Sequence, residues 1–136
     1  LKLGKEQMFY LSALERETGK SARDCIVQNG TISFLVNTEN MPRIIGKKGV
    51  NIKKFTEKMG KKIQLFEYNE EPEKFIEKAL PKGTVKGVQM QKNGEEKTAR
   101  IEIVPSERVS IKANQPKIRA LKELLDRNFG VKNIRL

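Results

Sequence analysis

The sequence predicts an α+β fold of small sheets covered by helices, built twice. Three observations predict it. Helix-like and strand-like stretches follow one another in the order helix–strand–strand–helix–helix–strand, and that order occurs two times. An Asn-Gly pair lies inside each strand-rich stretch, at Asn29-Gly30 and Asn93-Gly94, and Asn-Gly is the strongest short-range signal for a hairpin. The second half also copies the first at an offset of 66 residues: Ile45 matches Ile111, Ile52 matches Ile118 and Phe55 matches Leu121. Two copies of about 65 residues point to a duplicated unit, not to a solenoid, which needs three or more repeats. We place the units at residues 1–68 and 69–136.

In the first unit, Lys5 to Glu17 reads as a helix with Met8, Leu11 and Leu14 recurring every three residues and Gly19 as its stop. "ARDCIVQNGTISFLVN" reads as two strands turning at Gln28-Asn29-Gly30. Ile44 and Ile45 end a short helix, and a second helix carries Ile52, Phe55 and Met59 on one face before Gly60 ends it. "KKIQLFEY" resumes as a strand. In the second unit Pro72 fits the first turn of a helix, Phe75, Ile76, Ala79 and Leu80 form its apolar stripe, and Pro81 stops it. "TVKGVQMQKNGEEKTARIEIV" is a hairpin turning at Asn93-Gly94. "PSERVSIKANQPKIRALKELLDRNFG" is helical, with Ile118, Leu121, Leu124 and Leu125 along one face, and "VKNIRL" closes as a strand. Units this small are marginally stable alone, which predicts that they pack together and that Asn69–Pro72 is ordered.

Composition narrows the function. Hydrophobic residues make up 37%, and no apolar run approaches the ~20 residues of a spanning helix. The opening "LKLGKEQMFYL" lacks the long apolar stretch of a signal peptide, so we expect a cytoplasmic protein with no membrane partner. The single cysteine, Cys25, excludes an internal disulfide and reads as a small buried residue. With no histidine, an ordinary zinc site is not expected, and we expect neither metal nor cofactor.

The formal net charge of +11 is unevenly spread. Met41 to Lys62 carries eight basic residues against one acidic, a net of +7. Glu67 to Ala79 carries two lysines against five glutamates, a net of −3, and Pro105 to Leu136 eight basic against three acidic, a net of +5. Two positive blocks around a negative one suit two docking surfaces for a polyanion, although a basic surface also serves solubility.

The densest positive block contains "RIIGKKGVNIKKF", Arg43 to Phe55, with Gly46-Lys47-Lys48-Gly49 between two helices. Glycines open backbone conformations closed to other residues and let another chain approach closely. Backbone N–H groups of the turn and of the next helix can face phosphates, while Lys47 and Lys48 supply charge. Arg43 and Lys53 flank them. Ile44 or Ile45 can floor an apolar groove beside the turn, Ile52 is a further candidate contact, and such a groove suits unstacked bases. Apolar residues at helical spacing are more often core, so all three isoleucines also have a packing role. Lys54 and Lys58 read first as a solvated helix face, while Lys61 and Lys62 can edge the groove.

The order α–β–β–α–GXXG–α–β, with Ile-Ile-Gly-x-x-Gly followed by Ile52, resembles a KH domain of the type II arrangement. Two such modules in a short chain, and the opening "LKLGKEQMFYLSALERETGKSARDC", resemble the archaeal NusA family across essentially the whole length. The resemblance implies three-stranded mixed sheets, a GXXG loop that clamps about four nucleotides of single strand, and transcription termination or antitermination in association with RNA polymerase, as a monomer. It is weaker after residue 67, where GXXG becomes Lys112-Ala113-Asn114-Gln115. There Lys112, Asn114, Lys117 and Arg119 remain as secondary RNA contacts, and Pro116 removes a donor from the next helix.

Three rivals stand beside this reading. A ribosome- or RNA-processing-associated KH protein would bind RNA equally well but co-purify with other particles. A small nuclease is disfavoured by the lack of histidine, of a Gly-x-x-x-x-Gly-Lys loop and of clustered aspartates, so no catalytic residue is assigned. A single-stranded DNA binder is the third, since the groove need not use a 2′-hydroxyl.

Overall fold

The computed structural model describes residues 3–136, and the chain divides into two units, Leu1–Tyr68 and Asn69–Leu136. In the first unit, helix α1 spans Lys5–Thr18 and ends at Gly19, whose φ of 81° is the left-handed conformation that terminates helices. Its buried residues are Tyr10, Ala13, Leu14 and Thr18, spaced as one helical face, with Leu11 beside them. Leu11 and Leu14 pack as the sequence reading expects, but Met8 is more than half exposed, and Tyr10 and Ala13 complete the buried face in its place. Counting from Tyr10 gives the i, i+3, i+4 spacing that 3.6 residues per turn demands.

Strands β1 (Asp24–Gln28) and β2 (Thr31–Val36) pair antiparallel, with Gln28 opposite Thr31. Asn29 (φ 41°) and Gly30 (φ 79°) both take the positive φ that a two-residue hairpin needs. After β2 come helix α2 (Met41–Ile45), helix α3 (Val50–Met59) and strand β3 (Lys62–Glu67), which pairs parallel with β2. The sheet order is β1-β2-β3. Ile32, Phe34 and Val36 project from β2 onto the helices and pack with Cys25, Leu14, Ile44 and Phe55 in one cluster. The rings of Phe34 and Phe55 meet edge to face at 5.9 Å. This core fixes where α2 and α3 sit, and therefore fixes the turn between them.

The second unit repeats the plan. Helix α4 (Pro72–Ala79) buries Phe75, Ile76 and Ala79, and β4 (Val85–Asn93) pairs antiparallel with β5 (Glu96–Ile103). Here the hairpin differs from the sequence reading. Asn93 is the last residue of β4, opposite Glu96, so the turn is Gly94-Glu95, with only Gly94 at positive φ. An irregularity between Val85 and Gly87 accompanies this longer strand. A 3₁₀ turn at Pro105–Glu107 leads into α5 (Arg108–Ala113), α6 (Gln115–Phe129) and β6 (Val131–Arg135), parallel to β5. Leu121, Leu124 and Leu125 are buried along α6, and Phe129 lies 5.3 Å from Phe75 between ring centres. The result is an α+β protein with two three-stranded mixed sheets. Among the described residues no helix is long and apolar enough to cross a membrane.

Candidate nucleic-acid interface

The turn between α2 and α3 is built by glycines with different tasks. The Gly46 N–H donates to the Pro42 carbonyl at 2.8 Å and closes α2. Gly46 then adopts φ 79°, ψ 169°, a region essentially reserved for glycine. A Cβ there would lie 2.7 Å from Asn51 Cγ and 2.8 Å from the Asn51 backbone nitrogen, so a methyl does not fit. Residues Lys47–Gly49 form one 3₁₀ turn, closed by the Gly49 N–H to the Gly46 carbonyl at 3.0 Å. Lys48 (φ 56°, ψ 26°) and Gly49 (φ 75°, ψ 17°) are both left-handed. At Gly49 the conformation, not space, favours glycine, because a Cβ would come no nearer than 4.0 Å to the Ile52 side chain.

Asn51, which the sequence reading missed, ties the turn together. Its Nδ2 donates to the Arg43 carbonyl at 2.8 Å, satisfying one of the last carbonyls of α2 from the first turn of α3. The available signal was a short amide side chain two residues past a Gly-x-x-Gly.

Lys47 and Lys48 are exposed at the tip of the turn, and α3 starts immediately after it with its N-terminal N–H groups. Lys53 and Lys54 are exposed one turn further along. Arg43 is directed elsewhere: its Nε donates to the Thr18 carbonyl at 3.3 Å, at the C-terminus of α1. Lys58, near the end of α3, pairs with Glu17, and that hydrogen bond holds the Glu17 carboxyl below the usual carboxylate range. Of the isoleucines, Ile44 is wholly buried in the core and offers no surface, whereas Ile45 and Ile52 are half-buried. Val50, first residue of α3 and 43% exposed, adds apolar surface that sequence inspection did not single out. The structure thus gathers Ile45, Gly46, Lys47, Lys48, Gly49 and Ile52 around one turn, and leaves Ile44 and the Arg43 side chain outside it.

The matching segment of the second unit is different. Helix α5 continues through Lys112 and Ala113, Asn114 alone breaks it (φ −89°, ψ 66°), and α6 begins at Gln115. No residue there has positive φ. Gln115 Nε2 donates to the Lys112 carbonyl at 2.6 Å, and Pro116 occupies the first turn of α6 without an N–H. Lys112, Asn114 and Arg119 are exposed and Lys117 is half-buried. These residues present charge without a glycine turn. Among the described residues no group of three His, Cys, Asp or Glu could hold a metal ion.

The KH domain family matches residues 31–90, which hold β2, α2, the glycine turn, α3 and β3 and run on into α4 and β4. The chain is 31% identical to the probable transcription termination protein NusA of Methanococcus vannielii, over all of this chain and 79% of that protein. It is 28% identical to the protein of that name from Methanocaldococcus jannaschii, over all of this chain and 75% of that protein. The one from Halococcus morrhuae is 29% identical, over 93% of this chain and 91% of its own length. Among solved structures, the crystal structure of APE1850 superposes with a TM-score of 0.83 at 26% identity, covering 98% of this chain and 99% of that one. The chain belongs to the family of these NusA proteins and carries a KH domain.

Proposed function

We infer that this chain binds single-stranded RNA through the Gly46–Gly49 turn, as two tandem type II KH modules of which residues 1–68 carry the working loop and 69–136 a degenerate one. One observation carries the reading: two exposed lysines sit on a turn whose glycine backbone opens directly onto the start of α3. Such a turn lets phosphates come close to N–H groups and cations together. Ile45, Val50 and Ile52 give bases an apolar surface beside it, and Lys53 extends the positive edge. The second unit keeps Lys112, Asn114, Lys117 and Arg119 but no open turn, so it contributes weaker, positioning contacts. The relatives' name, probable transcription termination protein, supports transcription termination as the process, and this reading takes the nascent transcript as the RNA and RNA polymerase as its partner. No chemical step is part of this function.

Replacing Lys47 and Lys48 by Asp tests it. Both side chains are exposed and both glycines remain, so stability should change by no more than ~0.5 kcal/mol. Losing two charge-assisted phosphate contacts at ~1.5 kcal/mol or more each predicts at least a ~100-fold loss of affinity for single-stranded RNA. Lys112→Asp should weaken binding only a few-fold. Gel shifts of both variants, with circular dichroism as the folding control, read the difference; an equal loss in the Lys112 variant would overturn the assignment of the primary site.

A further inference from the structure

The outward face of the second sheet carries a feature that the glycine turn does not explain. Along β5, Ala99, Ile101 and Ile103 are buried, so Arg100 and Glu102 point to the opposite side. Register places Gln89 of β4 and Arg135 of β6 on either side of Arg100, and Gly87 opposite Glu102. Together with Arg108, these residues line an open groove of about 760 Å³, within the ~300–1,000 Å³ range of sites that take small organic ligands. Gly87 leaves its floor bare: a Cβ there would meet nothing within 4 Å.

We propose that this groove is a second single-stranded RNA contact, in which Arg100, Arg108 and Arg135 hold unstacked nucleotides. It goes beyond the turn-centred reading, because it lies on the sheet of the second unit and uses none of the residues of either helix–helix loop. The choice of cation carries the argument. The chain has eight arginines, and three of them line this groove while no lysine does, although lysines outnumber arginines more than twofold overall. A guanidinium is planar, stacks on bases and grips phosphate with two parallel hydrogen bonds, whereas an ammonium is a point charge. None of the three guanidinium groups has a hydrogen bond or ion pair among the described residues, so their side-chain donors are available. Gln89 and Glu102 lie among them as an amide and a carboxylate able to read base edges or a 2′-hydroxyl. A purely phosphate-binding surface has no use for Glu102; a surface for nucleotides does.

The test uses the full chain, titrated with hexauridine and separately with a hexaglutamate peptide while backbone amides are followed by NMR. Hexauridine should shift Gly87, Gln89, Arg100 and Glu102, and should still shift them in the Lys47→Asp/Lys48→Asp variant. Arg100→Gln/Arg135→Gln should abolish those shifts and make the slope of log K against log[salt] for a mixed-sequence 12-nucleotide RNA shallower by ~1.4, at ~0.7 per phosphate. Arg100→Lys/Arg135→Lys should keep the slope but lose affinity several-fold. Gly87→Glu, at an open position of ordinary φ, should block the groove in a folded protein. Groove shifts without shifts at residues 43–53 would sink the turn-centred reading and leave this one standing. Shifts at 43–53 alone, an unchanged slope in the glutamine variant, or a response to the peptide but not to hexauridine would each overturn the groove.

Discussion

A hydrogen at Gly46 where any other residue would put a methyl is what lets α2 and α3 meet. Two penalties coincide there, a glycine-only conformation and a 2.7 Å approach to Asn51, while Gly49 carries only a left-handed φ. Gly46→Ala should therefore destabilise by ~3 kcal/mol, combining strain of ~1–3 with overpacking of ~1–3 kcal/mol, and Gly49→Ala by ~1 kcal/mol. Urea titration of the two variants checks the order, and equal losses would mean that the close approach relaxes freely. The sequence made the pair of glycines visible but not their inequality, because the clash partner is set by how Asn51 enters α3. The same limit applies to Ile44 and Ile45. Adjacent apolar residues at a helix end cannot both face inward, and only the packed core decides that Ile44 does.

Between elements, the Asn51–Arg43 hydrogen bond holds the end of one helix to the start of the next. Asn51→Asp keeps the shape but sets a carboxylate against a carbonyl, acceptor against acceptor. It should destabilise more than Asn51→Ala, whose loss is ~1 kcal/mol for one hydrogen bond; thermal melts of both variants report the ranking. Most elements were readable from period and punctuation, since the stop at Gly19, the Asn29-Gly30 turn and the apolar faces of α3, α4 and α6 all obey local rules. Two were not. The stripe of α1 holds at Leu11 and Leu14 but not at Met8, which is apolar yet exposed, and it omits Tyr10 and Ala13. The second hairpin turns at Gly94-Glu95 because β4 runs through Asn93, and strand register depends on pairing that a turn motif alone does not fix.

For the molecule as a whole, charge sets the behaviour to expect in solution. With about four phosphates neutralised at the glycine turn, log K should fall with log[salt] at a slope near −3, and more steeply with the arginine groove engaged. Histidine is the side chain whose ordinary titration falls between about pH 5 and 8, and this chain has none. RNA affinity measured by fluorescence anisotropy should therefore be flat across that range, and a step within it would point to a titrating group outside the surfaces described. Cys25 has a further consequence. It is the sole thiol and is fully buried beside Phe34 and Leu14, so a thiol reagent reaches it only when the first unit opens. Its modification rate is a built-in clock for that opening, readable without any introduced label. RNA that binds only the closed form must slow the clock by the factor 1 + [L]/Kd, about a hundredfold at 100 Kd, so that one buried sulfur reports how tightly the distant lysine turn is held.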